Sequence, residues 1–339
     1  MTNKTTPWGP ERLRAAASAY WESCTLHAAV RTGLTEALAA GPASLAELAP
    51  RLGLDPRGLA ILARALLGLD LVREQEGRLV LNPGVAEHFT PDSPRDLSNM
   101  ILHMADMVGD WAKLAECVRQ GRPVERPALD QPGPSPRAHF YRAMRDIARQ
   151  QAPGMAGRVG LKDGQHLLDL GGGPGVYGLT FADEVPGLQA TVFDQPQARE
   201  HFQAEAALHP GAERVDFREG DFHRDDLGGP YDVAWLSQIL HGEGPEDCAR
   251  LVRAAANALK PGGWLWVQEF VVQIPGHPWP GLFGLNMLIN TPQGQAYTAA
   301  EIKAMLSQAG LVQVRYDGSV RADAAAGLVC GQKPGGGAA

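Results

Sequence analysis

The chain has 339 residues, of which 44% are hydrophobic and 20% charged, and its formal net charge is -7. Such a chain can bury sizeable cores and form two domains, and its acidic balance argues against a nucleic-acid-binding footprint. No apolar run approaches the roughly 20 residues of a membrane span, and the polar N-terminus does not resemble a signal peptide. We therefore expect a cytoplasmic protein without a membrane partner.

Cysteine usage points the same way. The four cysteines are scattered along the chain, with no CxxC pair and no histidine cluster at ligand spacing. A disulfide framework and a zinc site are both disfavoured by that distribution. We therefore predict a reducing compartment and no metal.

The first third of the chain carries the pattern of a winged helix. Ser44 and Glu47 form a capping box that opens one helix, and Pro56 opens the next. Two short strands, residues 71–74 and 78–81, then form a hairpin. Winged helices often bind DNA, but between residues 44 and 90 five arginines meet six acidic residues. Phosphate contacts need a net basic face, so we expect no nucleic-acid partner.

A helical connector is predicted from Leu97 to Gly121, and a Pro-rich stretch at residues 127–136 breaks it. Beyond the break, Phe140 and Met144 stand four residues apart, so both side chains lie on one helix face. Such a face suits either a ligand site or ordinary packing between domains.

The most informative segment is residues 166–178, where an apolar strand containing Asp169 runs into Gly171-Gly172-Gly173. Glycines permit positive φ and remove the Cβ atoms that would collide with a ligand, and the helix that follows presents unpaired N–H groups. Residues 173–178 also match the G-x-G-x-x-G dinucleotide fingerprint. A turn that binds nothing is the third interpretation.

The acidic residues separate these interpretations. Asp169 lies two residues before the first glycine, where it would repel a pyrophosphate but attract the cationic groups of S-adenosylmethionine. The next strand ends in Asp194, which could hold the ribose hydroxyls of either cofactor. A third strand leads to Asp221 and Phe222, which suit an adenine amino group and ring face. Nicotinamide cofactors do not require that third feature.

With a turn at residues 259–263 before the strand 264–269, these elements resemble the class I S-adenosylmethionine-dependent methyltransferases. Together with the winged helix, residues 12–331 resemble the plant-type and bacterial small-molecule O-methyltransferase family. The resemblance implies an α/β fold: a Rossmann-like, doubly wound methyltransferase domain preceded by an all-helical, winged-helix dimerisation domain. The expected boundaries are residues 1–95 for dimerisation, 96–155 for the connector, 156–334 for the methyltransferase domain and 335–339 for a disordered tail.

The resemblance also implies a cofactor site. Asp169, Gly171 and Gly173 would cradle the methionine end of S-adenosylmethionine, Asp194 would bind the ribose, and Asp221 with Phe222 would bind the adenine. Ser237 and Met144 complete the expected cofactor contacts.

The family places its base histidine after the strand that here covers residues 235–241, which implies that His241 is the general base. The chain departs from the family in reading His241-Gly242-Glu243 where His-Asp-Trp is common, so the aromatic lid over the adenine is absent or comes from elsewhere. No clear counterpart of the first flanking glutamate is found around residues 273–275, and Ala296 stands in place of the second. Either Glu243 substitutes or methyl transfer relies on proximity with little base catalysis. Two other roles for His241 stay open, a pocket hydrogen bond and a structural strand end.

A helix opened by Pro280 stacks Trp279, Phe283 and Met287 at fourfold spacing, which is typical of an aromatic substrate site or of a core. The resemblance implies that Tyr297 lies near the family's acceptor pocket, where it could hydrogen-bond to the acceptor. The predicted acceptor contacts are Phe140, Phe283, Met287 and Tyr297.

These observations predict methyl transfer from S-adenosylmethionine to a hydroxyl of a small aromatic or polyketide-like molecule. The resemblance implies a homodimer in which Tyr20 and Trp21 help to close the partner's pocket, although both rings could instead fill their own subunit's core. Two alternatives stay open: methylation at carbon or nitrogen, and a winged-helix regulator that senses S-adenosylmethionine.

Overall fold

The computed structural model describes residues 8–90, 93, 95–124, 136–272, 278–320 and 326–335. The chain divides into two compact units, residues 1–108 with 133–146 and residues 109–132 with 147–339. Most of the predicted Pro-rich break, residues 273–275 and the last four residues of the expected tail lie outside the described residues.

Helices dominate the first unit. In chain order its elements are α1 (Pro10–Ser18), α2 (Tyr20–Arg31), α3 (Leu34–Ala39), α4 (Leu45–Leu52), α5 (Pro56–Gly68), β1 (Val72–Gln75), β2 (Arg78–Leu81), α6 (Pro83–Ala86) and most of α7 (Ser98–Trp111).

The predicted winged helix is confirmed. Glu47 N donates to Ser44 Oγ at 3.3 Å and Ser44 N donates to Glu47 Oε2 at 2.7 Å, which completes the capping box of α4. Pro56 occupies the first turn of α5, and β1 pairs with β2 in an antiparallel hairpin. The apolar faces of these elements share one core, which includes Leu48, Leu59, Leu66 and Leu79.

Two aromatic residues at the start of α2 stay outside that core. The Tyr20 and Trp21 side chains are 61% and 65% exposed, and Leu13 on α1 is 58% exposed. The alternative that both rings fill their own subunit's core is therefore wrong for this chain.

The connector is more segmented than its sequence pattern predicts. The expected single helix ending at Gly121 is two helices, α7 and α8 (Leu114–Gln120), and Gly121 ends the second with φ +65°. Two further helices follow, α9 (Pro136–Gln151) and α10 (Met155–Val159). As predicted, α9 carries both Phe140 and Met144.

The remaining elements belong to the second unit. They are β3 (His166–Leu170), α11 (Val176–Glu184), β4 (Gln189–Asp194), α12 (Arg199–Ala206), β5 (Val215–Glu219), β6 (Tyr231–Ser237), α13 (Pro245–Asn257), β7 (Leu259–Val272), α14 (Trp279–Asn290), β8 (Tyr297–Thr298), α15 (Ala299–Gln308), β9 (Val312–Ser319) and β10 (Ala326–Gln332).

One sheet organises this unit, with strand order β5-β4-β3-β6-β7-β10-β9 and β8 beside β7. Strands β3 to β7 are parallel, and β10 runs antiparallel to both neighbours. Alternate residues face opposite cores: Leu167 packs in the same core as Leu179 of α11, and Leu168 in the same core as Leu251 of α13. This is the Rossmann-like architecture expected from the sequence. Because the chain order reverses at β3 and β6, a ligand crevice is expected at the carboxyl ends of these strands.

Two predicted strand limits need correction. Strand β6 ends at Ser237, four residues before His241, because Gln238 adopts φ +58° and turns the chain out of the sheet. His241 then lies in a single 3-10 turn, Leu240–Gly242. Strand β7 begins at Leu259 and so includes the predicted turn at residues 259–263, where its register with β6 shifts.

In the part of the chain that the structure describes, no helix has the length and apolar character that crossing a membrane requires. No group of three or more His, Cys, Asp or Glu side chains in the same residues is placed to hold a metal ion.

Candidate active site

Side chains pack closely against the glycine loop that follows β3. Gly171, Gly173 and Gly175 have φ values of +69°, +55° and +76°. A Cβ added to Gly172 would lie 2.8 Å from the Asp169 carboxylate and 2.9 Å from a Val192 methyl group. Side chains are therefore excluded by backbone conformation and by space, which leaves bare backbone facing the crevice.

The carboxylate of Asp169 is buried and only one of its oxygens is hydrogen-bonded. Its carboxylate is 1% exposed and accepts a 3.0 Å hydrogen bond from Gly178 N at Oδ2. Its Oδ1 atom is also buried and has no hydrogen-bond partner among the described residues. Burial, with a smaller contribution from the charge of Asp194, raises the pKa of Asp169 to about 7 against the opposing effect of the Gly178 hydrogen bond. A cationic ligand group would satisfy Oδ1 and favour the charged form.

Asp194, the last residue of β4, faces the same loop. Gly173 N donates to its Oδ2 at 2.7 Å, and Gln195 N donates to its Oδ1 at 2.6 Å. Burial raises the pKa of Asp194, and these two hydrogen bonds oppose the shift. The carboxylate is thus held at the carboxyl end of β4 with lone pairs left for ligand hydroxyls.

The other predicted cofactor residues of this unit follow the neighbouring strands. Asp221 and Phe222 follow β5 after one intervening residue, Gly220, and Asp221 Oδ1 accepts from His223 N at 2.9 Å. Ser237 is the last residue of β6 and lies near Tyr177, whose hydroxyl hydrogen-bonds to Gln268 and whose pKa is raised to about 12 by burial. The structure therefore brings Asp169, Asp194, Asp221 and Ser237 to one edge of the sheet.

His241 is firmly oriented. Its Nδ1 atom lies 2.9 Å from Oε2 of Glu269, and its backbone N donates to Oε1 of the same carboxylate at 3.2 Å. The Glu269 side chain, on β7, is only 2% exposed, and Phe270 N donates a further 3.1 Å hydrogen bond to it. A buried carboxylate that bonds both the ring and the main chain fixes the plane of the imidazole.

This pair corrects the expectation that His241 lacks its orienting partner. Glu243 does not substitute, because its Oε1 pairs instead with His223 Nε2 at 3.2 Å. Sequence analysis missed Glu269, although it ends the predicted strand 264–269. The signal available in the sequence was an acidic residue at the end of an apolar strand, next in the chain after the strand that leads to His241.

Aromatic rings line one side of His241. The Phe283 ring meets the imidazole edge-on at 4.8 Å between centroids, and Phe270 stacks near it at 6.3 Å. Phe270 and Phe283 are 4.5 Å apart. Phe270 was not predicted, and its contacts with His241 and Phe283 reveal it. These two phenylalanine rings, tilted 59° to each other, form an apolar wall beside the histidine.

The remaining predicted acceptor residues differ in position. Met287 lies one helical turn beyond Phe283 on α14 and is buried. Tyr297 does not fit an acceptor contact, because its side chain is 1% exposed and its hydroxyl donates to the Glu243 carbonyl at 2.6 Å. Phe140, 42% exposed, and the partly buried Met144 belong to α9 in the first unit, whereas the other predicted acceptor residues belong to the second unit.

Two protein-family models match the amino-acid sequence of this chain. The O-methyltransferase dimerisation domain matches residues 15–92, and the O-methyltransferase domain matches residues 111–312. The chain belongs to the O-methyltransferase family.

The similarity between this methyltransferase and its relatives covers nearly the whole chain. The 3-hydroxy-5-methyl-1-naphthoate 3-O-methyltransferase of Streptomyces sahachiroi is 31% identical over 316 residues, 90% of each chain. The tetracenomycin polyketide synthesis 8-O-methyl transferase of Streptomyces glaucescens is 30% identical over 346 residues, 98% of this chain and 100% of the relative. The crystal structure of human N-acetylserotonin methyltransferase with S-adenosylmethionine superposes with a TM-score of 0.84 at 25% identity, over 98% of this chain and 100% of that one.

The enzyme is therefore an S-adenosylmethionine-dependent O-methyltransferase that acts on a hydroxyl of a small molecule. This assignment excludes the interpretation of the glycine loop as a nicotinamide site. It also excludes the two alternative functions, a regulator that senses S-adenosylmethionine and an enzyme that methylates carbon or nitrogen. The site fits the methyl donor: the unpartnered Oδ1 of Asp169 suits a cationic group, and the glycine cradle admits a ligand against the backbone.

Proposed function

We propose that this O-methyltransferase methylates a hydroxyl group on an aromatic, polyketide-like molecule, with His241 as the general base. The observation that carries the proposal is the 2.9 Å contact between His241 Nδ1 and Glu269 Oε2, beside the wall of Phe270 and Phe283. The naphthoate and tetracenomycin named for the two Streptomyces relatives support an aromatic acceptor.

The proton transfer follows from the tautomer that Glu269 selects. A carboxylate only accepts hydrogen bonds, so Nδ1 of His241 carries the proton and Nε2 keeps a lone pair. No described residue hydrogen-bonds to Nε2, which leaves it to take the proton of the acceptor hydroxyl. Glu269 then stabilises the imidazolium, as a buried acid does in other histidine-based catalytic sites.

The cofactor is proposed to lie along the edge where β3, β4, β5 and β6 end. When bound, S-adenosylmethionine supplies a methyl group activated by its sulfonium centre. Asp169 Oδ1 would hold the cationic methionine end, Asp194 the ribose and Asp221 with Phe222 the adenine. Further proposed contacts are Gly171, Gly173, Ser237 and Met144 for the cofactor, with Phe140, Phe283 and Met287 for the acceptor.

Asp194→Ala should weaken S-adenosylmethionine binding by about tenfold or more, because at least one hydrogen bond to a carboxylate is lost. Titration calorimetry measures the change. Asp216→Ala, which removes an exposed aspartate from neighbouring β5, is the matched control and should bind normally. Equal affinity of the Asp194 variant and wild type would remove Asp194 from the site.

The dimerisation domain supports a homodimer. Exposed apolar side chains on α1 and α2 are proposed to meet the second copy, because patches of this kind are normally covered. Light scattering at micromolar concentration should show a dimer for wild type and for Leu208→Asp, a substitution of an exposed leucine in the second unit. Trp21→Asp should shift the mass towards the monomer, and an unchanged dimer would exclude α2 from the interface.

We also propose the domain boundaries given above, residues 1–95, 96–155 and 156–334. The cytoplasm is the proposed compartment, in keeping with four cysteines that are all free thiols.

The acceptor assignment is tested by incubating the enzyme with labelled S-adenosylmethionine and matched naphthols, anilines and acidic carbon compounds, then locating the label by mass spectrometry. We expect the label on phenolic oxygen. Label found only on nitrogen or carbon would overturn the proposed chemistry.

A further inference from the structure

We propose that His223 and Glu243 form a clasp over the cofactor crevice that holds the adenosyl end of S-adenosylmethionine and slows its release. The inference rests on the proposed placement of the cofactor along the strand ends. It concerns two side chains that belong to neither the base nor the predicted cofactor contacts.

The sheet order shows where the clasp lies. His223 follows β5 and Glu243 follows β6, and these strands are three positions apart, with β4 and β3 between them. Strands in a sheet are about 4.8 Å apart, so β5 and β6 are separated by about 14 Å. Yet His223 Nε2 and Glu243 Oε1 are 3.2 Å apart. The two loops therefore converge across the ends of β4 and β3, which carry Asp194 and the glycine loop.

Both partners stand on an anchored backbone. On the β5 side, Asp221 Oδ1 accepts from His223 N at 2.9 Å, and Asp221 N donates to Asp225 at 2.7 Å. On the β6 side, the Glu243 carbonyl accepts the buried Tyr297 hydroxyl at 2.6 Å. Because the main chain is already fixed on each side, little conformational entropy is lost when the side chains meet.

The side chains themselves remain partly exposed, His223 at 32% and Glu243 at 23%. Such a contact is weaker than a buried ion pair and opens without disturbing the core. It therefore suits a closure that must part each time methyl donor enters and demethylated product leaves. It also places a polar contact at the position where an aromatic ring was expected two residues after His241.

The test is a double-mutant cycle on the dissociation rate of S-adenosylhomocysteine, measured by stopped-flow fluorescence without any acceptor. His223→Ala and Glu243→Ala should each raise the rate by about fivefold, the upper range for a partly exposed pair. The double variant should dissociate no faster than either single variant, because all three lack the same contact. His223→Gln, which keeps a side-chain donor, should recover part of the loss.

Glu246→Ala removes an exposed carboxylate three residues further on and is the matched control, expected to leave the rate unchanged. Melting temperatures check that every variant is folded. Rates that stay at the wild-type value, or that multiply to about 25-fold in the double variant, would overturn the clasp. A folded wild type that fails to bind S-adenosylhomocysteine would instead overturn the cofactor site, and no outcome depends on the acceptor or on His241.

Discussion

His241→Ala should lower kcat by about 100-fold or more while leaving S-adenosylhomocysteine affinity nearly unchanged, because general base catalysis contributes at least that much. The loss should depend on the acidity of the acceptor. A nitrophenol that is already ionised near neutral pH needs no base, so mutant and wild type should methylate it at similar rates. Steady-state kinetics over a series of phenols of graded pKa measures this dependence.

Glu269→Gln provides the companion measurement, since it keeps the size of the side chain but removes the charge that fixes Nδ1–H and stabilises the imidazolium. Its kcat should fall less than that of His241→Ala and should show the same recovery with acidic phenols. A uniform loss across the phenol series, carried partly by KM, would show that His241 positions the acceptor and does not take its proton.

Asp169→Asn should stabilise the cofactor-free enzyme at pH 8 while sharply weakening S-adenosylmethionine binding. The folded pKa of Asp169 is raised from 3.8 to about 7, so folding favours the protonated acid. The stability that this acid contributes is complete below about pH 4 and is lost as the pH rises through 7. Asparagine has no charge to bury, so the free energy of unfolding of the variant relative to wild type should increase between pH 4 and 8, by about 2 to 4 kcal/mol.

Urea unfolding of both proteins at pH 4 and pH 8 measures this difference, and groups that titrate alike in both proteins cancel. Calorimetry at pH 8 measures the loss of binding. Parallel stability profiles for the two proteins would show that burial does not raise the pKa of Asp169.

Local patterns predicted most of the fold. The capping box at Ser44, the hairpin after α5 and the glycine loop after β3 each depend on residues within one short segment, and each is found. The segmentation of the connector and the end of β6 at Ser237 were not predicted, because a break in a helix or a positive φ at Gln238 leaves no composition signal.

The candidate site was less accessible to sequence reasoning, because its contacts join distant segments. His241 and Glu269 are 28 residues apart and meet only because their strands are neighbours. His223 and Glu243 are 20 residues apart and meet across two intervening strands. Tyr297 was predicted to contact the acceptor from the family resemblance alone, which carries no information on the burial of its side chain.

The side chains of successive residues of β7 point to opposite faces of the sheet, so that neighbouring residues contact different partners. Gln268 hydrogen-bonds to Tyr177 on one face, and Glu269 holds His241 on the other. A slip of one residue would exchange both side chains, but β6 and β10 hold the register from each side. The orientation of His241, the proposed base, is therefore set by sheet pairing, whereas Phe283, a proposed acceptor contact, belongs to a helix outside the sheet. We therefore expect that substitutions on α14 change the acceptor preference and leave the contact between His241 and Glu269 intact.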